Sequence, residues 1–174
     1  ERKTEVAPMY GYMGKILRVD LTNEKITEDH WDEATLRKHI GGTVLGAKVL
    51  YDEVPSGVAW NDPENRFIVA AGPLSGTRIG GSGTISVVTK GPMTNGATST
   101  QANGYLGAYL RFSGFDAIIV QGAAKRWLYL HVHDGTAELR DASYLQGKDT
   151  WETDDLIKKE LGLTERGMSV FSIG

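Results

Sequence analysis

Residues Gly72–Gly107 read GPLSGTRIGGSGTISVVTKGPMTNGATSTQANGYLG, and the rest of the chain is read outward from them. Nine of the chain's 22 glycines fall in this stretch. It lies inside a longer run, Asn65–Phe115, that holds no Asp or Glu although the chain carries 22 acids. Arg66, Arg78, Lys90 and Arg111 give that run a charge of +4, so the remainder of a chain of net charge −3 carries −7. Glycine lets backbone N–H groups come close to a ligand. The missing carboxylates remove the repulsion that an anion meets at short range. The segment therefore reads as a receiver of an anionic ligand, with the phosphate groups of a cofactor as the favoured class.

On either side, short strands and helices follow one another. Lys15–Leu21 alternates apolar and polar residues as a strand does, and Thr22-Asn23-Glu24 turns it toward a partner at Lys25-Ile26-Thr27. Asp32 is a candidate helix N-cap, with Leu36 and Ile40 on one helical face and Gly41-Gly42 as the stop. A second helix carries Val44, Leu45, Ala47, Val49, Leu50 and Val54 and ends at Pro55. Arg66–Ala71 is a strand buried on both faces. Thr84–Lys90 is β-branched at most positions and reads as a strand, Asn95-Gly96 as a turn, and Ala97–Ala102 as a further strand. Tyr105–Phe112 is a short helix whose N-terminus faces the glycine segment and favours anions. Strands follow at Ala117–Val120 and Trp127–Val132, and Asp134-Gly135 turns the latter into Thr136–Arg140. Asp149-Thr150-Trp151-Glu152 is a capping box opening a helix that stops at Gly162, and Met168–Ile173 reads as a last strand. The strands are grouped instead of alternating with helices, which favours α+β over a doubly wound sheet.

Composition excludes several classes. With no cysteine, the chain alone forms no disulfide and no thiolate-bound zinc or iron–sulfur site. Its charge disfavours nucleic acid as the partner. Its apolar runs are too short to span a membrane, and the default location is the cytoplasm. Residues 1–8 read as a leader or tag remnant ahead of Met9, and residues 9–174 as one domain. Gly81-Ser82-Gly83 lacks the third glycine of a dinucleotide fingerprint and enters a strand instead of a helix, and Gly76–Gly81 lacks the P-loop lysine. His131-x-His133 puts two imidazoles on one strand face with no evident third ligand, and reads as structural. Asp52-Glu53 and Asp154-Asp155 read as solvated helix faces, and Trp31, Trp60, Trp127 and Trp151 as core or subunit contacts. No residue is a candidate catalytic group and none is assigned to a metal.

Several blocks together resemble the tungsten-containing aldehyde:ferredoxin oxidoreductases. They are Met9–Leu21 (MYGYMGKILRVDL), Ile40-Gly41-Gly42, Pro63-Glu64-Asn65, Ala70–Thr77 (AAGPLSGT), Val87–Lys90, Gly114–Val120 (GFDAIIV) and Arg140-Asp141-Ala142. The resemblance implies an α+β N-terminal domain of two similar sheet-containing halves that forms a base for a bis-pterin tungsten (or molybdenum) cofactor with bridging magnesium. It implies oxidation of aldehydes to carboxylic acids, with electrons leaving through a [4Fe–4S] cluster to ferredoxin. The cluster's cysteines belong to a downstream part of the polypeptide, so the fragment alone is expected to be inactive. The remaining domains of the same polypeptide and ferredoxin are the expected partners, with a homodimer left open. The cofactor-binding positions carried over are Arg78, Gly83, Thr84, Gln101, Asn103 and Gly104. Thr84 stands where the family often has a basic residue, and Arg78 is a substitute for its charge. The family's phosphate–magnesium asparagine aligns with Gln101 without a gap, or with Asn103 after a one-residue gap. Gly104 matches under either alignment. A non-catalytic anion- or nucleotide-binding module on the same fold is the alternative.

Overall fold

The computed structural model describes residues 10–164 and 166–173. The leader reading of residues 1–8 and the start at Met9 lie outside the described residues. Eight strands and four α-helices are present among them: β1 (Lys15–Asp20), β2 (Lys25–His30), α1 (Glu33–His39), α2 (Gly42–Glu53), β3 (Phe67–Ala71), β4 (Ile85–Lys90), β5 (Ala97–Ala102), α3 (Leu106–Phe112), β6 (Ala117–Gln121), β7 (Leu128–His133), β8 (Thr136–Asp141) and α4 (Thr150–Leu161). The architecture is α+β. Its two sheets are unequal, six strands in the order β2-β1-β6-β3-β4-β5 and a separate β7-β8 hairpin. The β1–β6 pair is parallel, and the other pairs are antiparallel.

The alternation read in β1 places its residues on two cores. Ile16 joins Ile68, Ala70, Val88, Ala117 and Ile119 under Leu45, Val49 and Leu50 of α2 and Leu36 of α1. Leu17 and Val19 face the other way, against Leu110 of α3, Phe115 and the inner residues Leu130, Val132, Ala137 and Leu139 of the hairpin. The large sheet is thus covered by α1 and α2 on one face and by α3 and the β7–β8 hairpin on the other. Burying strands on both faces explains the continuous apolar run Ile68–Ala71. The α4 helix is tied to the hairpin through Glu160, which accepts from Tyr129 Oη at 2.9 Å and Arg140 at 3.3 Å, and also from Tyr144.

Several boundaries and roles differ from the sequence expectations. Met168–Ile173 forms no strand, because no neighbour in either sheet pairs with it. Ile40 is not on the apolar face of α1. It caps the helix at φ +58° with its side chain exposed, and Gly42 opens α2 directly afterwards. Of the tryptophans read as core or subunit contacts, Trp31 packs against a core, and Trp60, Trp127 and Trp151 are exposed, which removes only the core alternative for them. Glu53 is not on a solvated face: it holds Arg18 (2.6 and 2.7 Å) and Arg66 (3.1 Å), joining α2 to β1 and to the entry of β3. Asp154 of the other acidic pair bonds Lys158 one turn on.

Candidate functional site

Two loops meet at one end of the large sheet. The first, Gly72 to Thr84, joins β3 to β4, and the second, Asn103 to Tyr105, joins β5 to α3. The first is shaped by its own bonds. Gly76 N donates to Ser82 O at 3.1 Å, Ser82 N to Ile79 O at 3.2 Å, and Ser82 Oγ to Thr77 O at 2.7 Å. Because β4 and β5 pair in register, with Ile85 opposite Ala102, residues just before Ile85 and just after Ala102 are forced together. A Cβ on Gly83 would stand 1.7 Å from the Gly104 carbonyl oxygen, so the backbones touch there and only glycine fits. Gly104 itself has φ +146° and open space where a Cβ would point. Thr84 Oγ1 reaches Asn103 Oδ1 at 2.5 Å and Gly81 O at 2.9 Å, closing a second contact between the loops.

The sequence-predicted positions are thereby distinguished. Gly83, Thr84, Asn103 and Gly104 form one constellation at the loop junction, half-buried on the first loop and exposed on the second. Gln101 lies on β5 opposite Ser86, two residues short of the junction. The amide side chain present at the junction itself is that of Asn103. The short helix α3 does lie against the glycine segment, but its Gly107 N–H donates to Gly83 O at 3.1 Å. That donor is spent on joining the loops. The expected helix-terminus attraction is therefore reduced.

Electrostatics narrow the site further. Of the four cations in the acid-free run, Arg66 is held by Glu53, and Lys90 donates to Val58 O. Arg111 pairs with the buried Asp116. Arg78 alone is exposed and without an ion pair among the described residues, and it sits in the first loop. The local positive charge available to a ligand is thus that of Arg78, together with exposed backbone.

Asp116 was not legible as a structural anchor. Its carboxylate accepts from Met13 N (3.1 and 3.0 Å) and Gly14 N (2.7 Å) and binds Arg111, so it ties the segment before β1 to the end of α3. The signal available was its position: it is the first acid after the long acid-free run, immediately before an apolar strand. The other unread centre is Glu53, where burial pushes the carboxyl upward but the hydrogen bonds and charges of Arg18 and Arg66 outweigh it, leaving it below the ordinary range. The His131–His133 pair lies apart from the loop junction, on the β7–β8 hairpin, and Glu138 faces it across the ladder.

Comparison with known proteins agrees with this architecture. Residues 16–174 match the family model for the aldehyde ferredoxin oxidoreductase N-terminal domain. The chain is 41% identical over 166 residues to a tungsten-containing aldehyde ferredoxin oxidoreductase of Pyrococcus abyssi, covering 95% of this chain and 27% of that protein. It is 39% identical over 158 residues to a Pyrococcus furiosus protein named aliphatic sulfonate oxidoreductase, WOR-like subunit, covering 88% of this chain and 25% of the relative. Among solved structures, the active-site complex BamBC of benzoyl coenzyme A reductase with 1,5-dienoyl-CoA superposes with a TM-score of 0.86 at 36% identity, over 90% of this chain and 24% of the other. The chain spans about a quarter of the length of the relatives it matches. With the match running from β1 through the loop junction to the last residue, this chain belongs to the aldehyde ferredoxin oxidoreductase N-terminal domain family.

Proposed function

We propose that this chain is the cofactor-cradling N-terminal domain of a cytoplasmic oxidoreductase that oxidises aldehydes to carboxylic acids and passes the electrons to ferredoxin. The observation that carries the reading is the loop junction: Gly83 against Gly104, within the acid-free run Asn65–Phe115 whose one exposed cation without an ion pair among the described residues is Arg78. The residues present fit a bis-pterin tungsten or molybdenum group, with its phosphates and an accompanying magnesium ion, on chemical grounds. Exposed backbone at Gly104, an open space beside it and a surrounding sequence run without Asp or Glu suit a dianionic group. When bound, that group supplies the two-electron redox chemistry.

The chain's own residues have positioning roles. Arg78 would offset the charge of a bound phosphate group. Gly83 and Gly104 let the two loops close without side chains between them. Thr84 and Asn103 hold the loops to each other by a neutral hydrogen bond, where a basic residue would add charge. Gln101, one register step from the strand end, is a neutral amide available at the margin. A [4Fe–4S] cluster needs thiolates, and this chain has none, so its ligands come from a further part of the polypeptide. Ferredoxin and those further domains are the partners of this reading, and a second copy of the chain is compatible with it.

The test is made in the full-length enzyme. Gly104→Asp introduces a negative charge at a strained backbone position, and Gly104→Ser introduces the same strain without the charge. Tungsten or molybdenum per polypeptide should fall to the level of an unloaded control in Gly104→Asp and persist in Gly104→Ser. Full metal content in Gly104→Asp would remove the junction as the cradle. Aldehyde-dependent reduction of ferredoxin by the unmodified enzyme tests the activity itself, and its absence would leave the anion-binding module as the reading.

A further inference from the structure

The outward face of the β7–β8 hairpin carries a cluster that the loop junction does not use. Leu130 and Val132 point inward to the core beside Leu17 and Phe115, so the two-residue period of a strand turns His131 and His133 outward. The ladder sets Glu138 directly opposite His131. His131 Nδ1 lies 3.1 Å from Glu138 Oε1, and His133 Nε2 lies 3.9 Å from the same oxygen. The two imidazoles stack with centroids 4.4 Å apart. One donor atom from each of the three residues lies within 4.8 Å of the others. A four-coordinate zinc-like ion with ligands at roughly 2.0–2.1 Å needs donors about 3.3 Å apart, so small side-chain rotations complete the geometry.

We propose that His131, His133 and Glu138 form a binding site for a divalent transition-metal ion of the zinc class, with water in the remaining positions. The ligand chemistry selects the class. Two imidazoles and one carboxylate suit zinc, cobalt or nickel, whereas calcium and magnesium prefer oxygen alone. The ion replaces the proton between His131 Nδ1 and Glu138. The surroundings orient these ligands. Asp134 Oδ2 lies 3.5 Å from His133 Nδ1, on the side of the ring away from the Nε2 that approaches Glu138. Arg140 donates to Glu138 through Nε at 2.8 Å, and its NH2 lies 2.7 Å from the same oxygen, fixing the carboxylate. Arg140 is itself offset by Glu160 at 3.3 Å. The Arg140 hydrogen bond, followed by that of His131, holds the Glu138 carboxyl below the usual range, so it is ionised at neutral pH.

The site is tested on the full chain with cobalt(II) and zinc(II) alone. Cobalt absorption and calorimetric titration with zinc should each report one ion per chain. His133→Gln and Glu138→Gln should each weaken binding by about ten-fold or more. The chain's other two histidines, His30 and His39, serve as controls, and His30→Gln/His39→Gln should bind as the unmodified chain does. Far-UV circular dichroism of the metal-free variants reports that the fold persists. His133 is exposed enough that its replacement leaves the core untouched. Zinc should raise the melting temperature of the unmodified chain and leave that of His133→Gln unchanged. Absence of saturable binding to the unmodified chain would overturn the proposal, and so would undiminished binding in a folded His131→Gln/His133→Gln variant.

Discussion

At position 83 the distance to a neighbouring carbonyl decides which residue is allowed. A Cβ there would lie 1.7 Å from Gly104 O, and the obstacle is backbone, which cannot rotate away. Gly83→Ala should therefore cost about 1–3 kcal/mol of stability, read as a lower urea midpoint with an unchanged slope. Wild-type stability in that variant would mean that the loops do not meet as described. This contact was only partly legible in the sequence. The glycine density and the lack of acids marked the neighbourhood, but nothing in the order of residues distinguishes Gly83, which touches Gly104, from Gly80 or Gly81, beside which there is open space. The charge count had the same limit. Four cations were visible, but that three of them are engaged by Glu53, Val58 and Asp116 depends on partners distant in sequence.

The elements with local signals were the ones read most closely. Asp149 caps α4 by accepting from Glu152 N at 2.8 Å, and the Glu152 side chain returns to Asp149 N at 3.3 Å. Both partners are three residues apart, so a capping box can be recognised before folding is considered. Asp149→Ala should lower stability by about 1 kcal/mol, measured by thermal denaturation. A melting temperature unchanged in that variant would show that α4 is held by the Glu160 contacts alone. The β7–β8 turn at Asp134-Gly135 was equally local, and both residues have positive φ as such hairpins require. Met168–Ile173 shows the opposite case. Its β-forming composition describes a strand, but a strand exists only with a paired neighbour, and none pairs with it among the described residues.

Across the whole molecule, Glu53 links three segments, and its charge state enters the stability of the fold. Its carboxyl is held below the ordinary value of 4.5 because the two arginines outweigh burial. A depressed carboxyl contributes stability that is fully present above its unfolded value and is lost as the pH falls through the folded one. The melting temperature should therefore decline as the pH is lowered below about 4.5. Glu53→Gln should cost about 1.5–3 kcal/mol at neutral pH and make that decline shallower. A variant melting curve parallel to the unmodified one from pH 7 to 3 would exclude Glu53 as a source of the acid sensitivity. What the chain order determined by itself was most of the elements, the α+β class and the acid-free glycine segment, because periodicity, caps and turns act over a few residues. The tertiary structure alone decided the six-plus-two division of strands, the meeting of Gly83 with Gly104, the isolation of Arg78, and the approach of Glu138 to His131 and His133. Those depend on register and on packing between residues far apart in the chain, where the burial of one face selects which side chains are left to face one another.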